Sequence, residues 1–452
     1  MIQLKKYTLL LAVIMCSAAQ AQEANSGNFS LQQSIEYAMK NSPNYLNAEL
    51  DLKNADYKRK EIIGLGLPQV NGSIDLKDYI DIPTSLLPGQ IFGGPEGSFI
   101  PVKFGTKYNA TAGLSASQLL FSSDYIFGLK AQKEFMNLSK INVTRSKADL
   151  VSQVTKAYYT VLISRERIKS LESNITKLKK TFDDTKAANQ QGIIELIDVE
   201  RLEVQYNNLL TEKEKTDRLI GLSEIALKFQ MGYKIEDKIV LTDSLIVDNN
   251  FQELNANKPD ISQRPDYQLA LSQKNLSDLD VKAKKYIFLP TLSAYGSYQY
   301  NAQRSEFSFF ETNSNDPTKK WFKVSLIGAT LNLGIFTGWQ RMNRLEQAKI
   351  TSLKNQNSIK MLEMAAQLEA STASINYTNA YSGFVRQKKN VELAEHVADV
   401  ARKKYSSGVG SNIEVVTAET ALTEAQTNYY SSIFDIIVAK TDYLKATGTL
   451  VK

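Results

Sequence analysis

Proline and glycine are distributed along this chain in a way that few folds accommodate. All ten prolines fall in two windows, Pro43 to Pro101 and Pro259 to Pro317, and the second window has the same length as the first. The stretches outside the windows are free of proline, as long helices require. Each long stretch holds a glycine pair, Gly192 with Gly232 and Gly408 with Gly448, and the second pair follows the first at the same offset as the windows. Glycine past the end of a helix supplies the left-handed backbone that stops it, so each pair is expected to bracket one helix. Between Gly408 and Gly448, Val415, Ala418, Leu422, Ala425, Tyr429, Ser432, Ile436, Ala439 and Tyr443 follow at alternating steps of three and four. That is a heptad seam, the mark of a helix packed along its whole length. The earlier copy keeps the seam at Val199, Leu202, Tyr206, Leu209, Ile220 and Leu227 and is expected to lose it at Lys213 and Thr216.

Shorter matches repeat inside the proline windows. Asn41–Tyr45 (NSPNY) corresponds to Gln263–Tyr267 (QRPDY), and Leu67-Pro68 to Leu289-Pro290. The spacing from Pro43 to Pro68 equals that from Pro265 to Pro290. The chain therefore reads as an internal duplication. Each half begins with a helix, over about 30–66 and 263–288, which the Leu-Pro pair ends. Alternating segments follow. Val70, Gly72, Ile74 and Leu76 oppose Asn71, Ser73, Asp75 and Lys77; Tyr108, Ala110, Ala112, Leu114 and Ala116 oppose Asn109, Thr111, Ser115 and Ser117. In the second half, Leu292, Ala294, Tyr298 and Tyr300 oppose Ser293, Ser297 and Gln299, while Trp321–Leu333 alternates with a phase slip near Gly328. Strands of roughly ten residues with one apolar face suit a membrane β-barrel, and Tyr108, Tyr298, Tyr300, Trp321 and Phe322 suit its aromatic girdle. The segments Asp81–Thr106 and Asn301–Lys320 read as exposed loops. After Phe121 and Phe336 the helical pattern runs on over nearly equal stretches, to Gly192 and Gly408. Such helices are on the order of 100 Å long at ~1.5 Å per residue.

Residues 1–21 are expected to be a cleaved signal peptide: Lys5 and Lys6, an apolar core Tyr7–Met15, and Ala19-Gln20-Ala21 before the cut. Met15 ahead of Cys16 argues against lipid attachment, and Cys16 is the only cysteine. No later apolar run is long enough for a membrane helix, so any crossing must use strands. The formal charge is +6, two units of it from Lys5 and Lys6. So weak and dispersed a balance excludes a nucleic-acid binder. Residues 22–246 are expected to form the first repeat and 247–452 the second. With four barrel strands per chain no barrel closes, and an open edge is not tolerated in lipid. The chain must then associate with copies of itself, two chains giving eight strands and three giving twelve.

Three pieces in this order carry a family resemblance: Arg264-Pro265-Asp266-Tyr267, Tyr405-Ser406-Ser407-Gly408, and Glu414-Val415-Val416-Thr417-Ala418-Glu419. With the duplicated layout, they make the chain resemble the outer-membrane factor family, the TolC-like outer membrane efflux proteins, over essentially its whole mature length. The resemblance implies a mixed fold, a long α-helical barrel in the periplasm continuing a trimeric twelve-stranded β-barrel in the cell outer membrane. It implies a passive exit duct for efflux pumps or type I secretion systems. The implied partners are a periplasmic adaptor and an inner-membrane pump of RND or ABC type, besides the homotrimer and outer membrane lipid. Adaptors would dock at the helix turns, here Gly192, Ile193, Ile194 and Gly408, Val409, Gly410. In the type member two acidic positions after the second break ring the closed entrance; the matching residues are Glu414 and Thr417, so only the first acid is kept. A tyrosine tied to an aspartate helps closure there, and Tyr405 and Asp198 match. An arginine that also assists is replaced by Gly410.

The residues alone permit plainer readings. Glu195, Asp198 and Glu414 fall in first helical turns, where acids favour the positive end of the helix. His396, the only histidine, lies in a helical stretch without cysteine and reads as a surface residue, not a metal ligand. Asp183-Asp184 lies on a solvated helix, where a catalytic pair is out of place. No phosphate loop, nucleophile set or metal spacing appears, so neither enzyme activity nor a cofactor is expected. Long heptad helices would also fit a periplasmic coiled-coil tether or a surface adhesin without channel activity. The four amphipathic strands count against that alternative.

Overall fold

The computed structural model describes residues 27–245, 261–311 and 316–451. The expected signal peptide with Cys16 and the expected repeat boundary at 246/247 lie outside these residues. In chain order the elements are β1 (Asn28–Phe29), α1 (Leu31–Asn41), α2 (Pro43–Gly64), β2 (Gln69–Asp78), β3 (Thr84–Pro88), β4 (Phe99–Lys103), β5 (Tyr108–Phe121), α3 (Ser123–Gln190), α4 (Leu196–Met231), β6 (Val240–Leu241), α5 (Pro265–Tyr286), β7 (Thr291–Arg304), β8 (Phe322–Asn332), α6 (Gln340–Ser406) and α7 (Asn412–Ala446). The halves match in kind and length. α2 and α5 have 22 residues each, α3 and α6 have 68 and 67, and α4 and α7 have 36 and 35. The compact units do not follow the repeats. A helical unit draws on Met1–Leu50, Ile141–Leu269 and Lys360–Lys452, and a sheet unit on Asp51–Lys140 and Ala270–Ile359.

In the helical unit the predicted seam is the packed one. Val415, Ala418, Leu422, Ser432, Ile436 and Ala439 are buried on α7, and Val199, Leu202, Leu209 and Leu227 on α4. Their spacing lays an apolar stripe along one side of each helix. A fully buried leucine such as Leu202 contributes about 1.5–3 kcal/mol by leaving water. The seam is not lost at Thr216, contrary to expectation. Thr216 is buried because its hydroxyl donates to the Glu212 carbonyl of its own helix. Lys213 pairs with Glu172 at 2.8 Å.

The first helix, expected to run unbroken over 30–66, divides at Ser42, whose extended backbone (ψ 119°) precedes Pro43. α1 starts with a capping box in which the Ser30 hydroxyl accepts from the Gln33 N–H and the Gln33 side chain accepts from the Ser30 N–H. The ends of α4 and α7 close against the two matching segments. Gly232 (φ 69°) abuts Asn41 and Ser42, and Gly448 (φ 71°) abuts Gln263 and Arg264. A Cβ on Gly232 would stand 2.5 Å from the Asn41 carbonyl oxygen. Buried Arg264 donates to the Ala446 carbonyl at the end of α7 (3.0 Å), to Glu369 (2.6 Å) and to both Asp266 oxygens (3.0 and 2.8 Å). Burial pushes the Asp266 carboxyl up, but the bonds and charge of Arg264 outweigh that and hold it below the usual carboxylate range. An unexpected parallel pair, β1 with β6, covers the fully buried Tyr158. The Tyr158 hydroxyl lies 3.0 Å from Asp243, which also accepts from the Leu31 N–H. Burial and that carboxylate push the phenol well up.

The sheet unit holds one four-stranded antiparallel sheet in the order β2-β5-β7-β8, leaving β2 and β8 at its edges. Directly opposed residues share a face. One face carries Val70, Ile74, Leu76, Leu114, Tyr298 and Tyr300, many of them exposed; the other carries Asn71, Ser73, Asp75, Ser115, Ser297 and Gln299. β8 inverts this pattern. Lys323 and Ser325 oppose Tyr300 and Tyr298 on the apolar face, while Phe322, Val324 and Leu326 oppose Asn301, Gln299 and Ser297 on the polar one. From Ile327 onward the apolar face recovers, with Ile327 and Leu331 on it. The ring of Tyr295 occupies the space a side chain at Gly328 would need, 2.7 Å from its Cβ position.

Two expected loops are more ordered than their composition suggests. Asp81–Thr106 contains the hairpin β3–β4, so strands number more than four. Five residues each are too few to span a bilayer, for which ~9–11 are needed. Trp321 is not a free girdle residue. It packs with Phe309 beside Ala110 and Ala302, and its indole N–H reaches the Phe309 carbonyl at 3.4 Å.

Candidate functional site

The breaks at Gly192 and Gly408 lie in the helical unit and are built alike. Gly192 (φ 73°) donates to the Asn189 carbonyl at 2.8 Å and Ile193 to that of Ala188 at 3.0 Å. Gly408 (φ 74°) donates to Tyr405 at 3.0 Å and Val409 to Lys404 at 3.0 Å. Both are Schellman-type closures. A Cβ at either glycine meets nothing within 4 Å, so only the backbone angle calls for glycine. Gly410 differs. Its N–H donates to the same Lys404 carbonyl, and a Cβ would lie 2.9 Å from the Lys404 Cβ. A side chain does not fit there unless Lys404 shifts.

The turns expose apolar groups. Ile193 is 71% and Val409 82% exposed, and Leu196, Ile197 and Ile413 are exposed too. Ile194 is partly covered, and its carbonyl accepts from Asn189 Nδ2 at 2.7 Å. The two turns and the helix starts beside them thus present clustered apolar side chains to solvent.

The turns are also linked to each other. Asn412, nearly buried in the first turn of α7, donates to the Asp198 carbonyl in the first turn of α4 at 3.0 Å. Ser411 caps α7 by accepting from the Glu414 N–H at 3.4 Å. Glu414 in that first turn and Thr417 in the next are both exposed. Asp198 is half-buried, and its carboxylate pairs with Arg201 at 3.4 Å. The expected Tyr405–Asp198 tie is not made. The Tyr405 hydroxyl meets Thr185 at 3.1 Å, joining α6 to α3, while the Asp198 carboxylate pairs with Arg201 of its own helix.

The residue that sequence reasoning missed is Glu419, just past the Glu414–Thr417 positions on α7. It has no exposed surface. One oxygen accepts from Arg402 of α6, which also binds Asp399; the other buried oxygen has no partner. Burial raises the Glu419 carboxyl above its ordinary range, against the opposing pull of Arg402 and Lys177. A signal was present, since a glutamate directly after a seam alanine (Ala418) lies at the edge of a buried stripe. His396 is exposed, and among the described residues no group of three or more His, Cys, Asp or Glu could hold a metal ion.

Comparison with known proteins shows what this arrangement is similar to. Residues 260–432 match the family model described as outer membrane efflux protein. The outer membrane protein TolC of Vibrio cholerae serotype O1 is 20% identical over 355 residues, covering 75% of this chain and 77% of that protein. The toluene efflux pump outer membrane protein TtgC of Pseudomonas putida is 22% identical over 347 residues, 76% of this chain and 69% of its own. Over that segment, and at low identity over three quarters of its length, the chain is similar to outer membrane efflux proteins. Among solved structures, the Campylobacter jejuni CmeC outer membrane channel superposes with a TM-score of 0.74 at 15% identity, covering 93% of this chain and 86% of that one. CusC does so with 0.73 at 16%, covering 92% of each. The proteins it is similar to are an outer membrane protein, an efflux pump outer membrane protein and an outer membrane channel.

Proposed function

We propose that this chain is an outer-membrane factor that works as a homotrimer whose three sheets close one twelve-stranded barrel, serving as the passive exit of a tripartite efflux or type I secretion system. One observation carries the reading. The four-stranded sheet ends in two unpaired edges, β2 and β8, and presents an exposed apolar face. In lipid such edges must be paired. A periplasmic adaptor docks on the exposed apolar turns at Gly192–Ile194 and Gly408–Gly410, and an inner-membrane RND or ABC pump supplies the cargo. Glu414 forms a ring of three carboxylates at the entrance, where like charges favour cations. Thr417 adds no second charge. Closure leans on Tyr405 with Thr185 and on Asn412 with the Asp198 backbone. The 22–246 and 247–452 repeats are the two halves of each subunit.

Mass measurement in detergent is expected to give a trimer, and planar bilayers are expected to give channels. A monomeric folded species, or no conductance as a tether would show, overturns the proposal. In the same recordings Glu414→Ala is expected to lower cation preference with little change in opening. Unchanged selectivity would reduce Glu414 to a helix-start acid.

A further inference from the structure

The two sheet edges also specify how they meet. We propose that β8 of one chain pairs with β2 of the next copy in the register that sets Lys323 against Asp78, Ile327 against Ile74 and Leu331 against Val70. This rests on the trimeric reading above and adds the register to it.

Three observations select it. The first is direction and face. β2 and β8 run antiparallel within the sheet order, and directly opposed residues must share a face, so the allowed registers differ by steps of two. The second is length. β8 spans 11 residues, Phe322–Asn332, and β2 spans Gln69–Asp78, with Tyr79 still bonded to the neighbouring Lys107 carbonyl. Only the proposed register pairs all of Phe322–Asn332 with all of Gln69–Tyr79. A shift of two residues either way strands a pair of residues at one end of each edge.

The third is chemistry, and it explains the inverted phase of β8. Lys323 is a cation on the apolar face, where it lies over the Tyr298 ring at 4.8 Å and, among the described residues, forms no ion pair. Asp78 is the one acid on the same face of β2. The proposed register brings the two together at the corresponding strand ends. It also opposes Ile327, 91% exposed, to Ile74, 85% exposed, and on the polar face it sets Phe322 against Tyr79. Opposite charges, β-branched pairs and aromatic pairs are the favourable cross-strand combinations. The register two residues lower sets Lys323 against Leu76 and Ile327 against Gly72. The one two residues higher sets Ala329 against Ile74 and leaves Lys323 beyond Tyr79.

Barrel geometry agrees. A hydrogen-bonded row runs from Gln69 through Ser117 and Tyr295 to Gly328. In the proposed register it enters the next copy at Ser73, four residues higher than it began. At ~3.3 Å per residue and ~4.8 Å between strands, a climb of four residues over four strands tilts them by about 35°, within the range of membrane barrels. A climb of two would give only about 19°.

The test uses cysteine pairs in the full chain, whose only natural cysteine is Cys16. Ile327→Cys is combined in turn with Ile74→Cys, Gly72→Cys and Leu76→Cys. Each protein is purified in detergent, weighed, and oxidised. With Ile74→Cys, most chains are expected to run as covalent dimers and trimers on a denaturing gel, and with the other two most are expected to stay monomeric. Preferential linkage of the Gly72 or Leu76 pair in a trimer overturns the register while leaving the trimer standing. A monomer mass in every case overturns both. Charge exchange gives a second readout. Lys323→Asp and Asp78→Lys are each expected to lower the temperature at which the detergent trimer dissociates, and the double exchange to restore it. Equal losses that simply add in the double variant would exclude contact between the two residues.

Discussion

Burial of Glu419 gives the helical unit a response to pH. Its carboxyl is raised above the ordinary range by desolvation, so the folded chain holds that proton more tightly than the unfolded chain does. The associated stability is fully present below the ordinary carboxylate value of about 4.3 and is lost as pH rises through the higher folded value. Glu419→Gln keeps the shape without the titration. Its melting temperature is expected to match wild type near pH 4 and to exceed it near pH 8, by an amount on the order of 2–4 °C per kcal/mol. A difference independent of pH would refute the assignment. Tyr405→Phe removes the hydroxyl that meets Thr185, a bond of about 0.5–1.5 kcal/mol. It is expected to raise single-channel conductance without altering ion preference, because no charge changes. Leu202→Ala, in a site with no exposed surface, is expected to cost about 2–5 kcal/mol in chemical denaturation.

At the scale of helices and strands, the glycines separate backbone need from space. Gly192→Ala meets open space and costs only the left-handed strain, about 1–2 kcal/mol. Gly232→Ala carries the same strain and also drives a Cβ into the Asn41 carbonyl, so its melting temperature is expected to fall further. Equal losses would show that the Asn41 segment yields freely. The glycines, the prolines and the seam from Val415 to Ala439 are legible in the sequence because each acts through local geometry or strict periodicity. The break at Ser42 has its signal in Pro43, which disfavours helix in the residue before it. Thr216 departs from expectation because a buried hydroxyl can be satisfied by its own helix. The β3–β4 hairpin is hidden by Pro83, Pro88 and Pro101, which usually mean loop and here lie in or beside short strands, and by Pro95 in the connection between them. At the turns, the glycines and their apolar neighbours are readable. The Tyr405 partner is not, since Thr185 and Asp198 sit on two different helices and the choice between them depends on how these pack against α6.

At the scale of the whole molecule, the family model reaches residues 260–432, while the first half repeats the order helix, paired long strands, long helix and shorter helix, with the β3–β4 hairpin added between its strands. The copies have diverged in side chains and kept backbone angles, bond for bond at Gly192 and Gly408. Replacing both glycines with bulky residues is expected to abolish export in cells and leave the detergent trimer intact; normal export would remove the turns as the adaptor contact. Lys323 has one more consequence, in the life of the chain before it assembles. An unpaired strand is a template for indiscriminate aggregation, and a lysine on its apolar side is a common safeguard. A solitary subunit crossing an aqueous compartment carries that safeguard on β8, beside the exposed Ile327. Removing the charge, as in Lys323→Leu, should therefore be harmless to the finished duct and harmful on the way to it, with more chain lost to insoluble aggregates during synthesis.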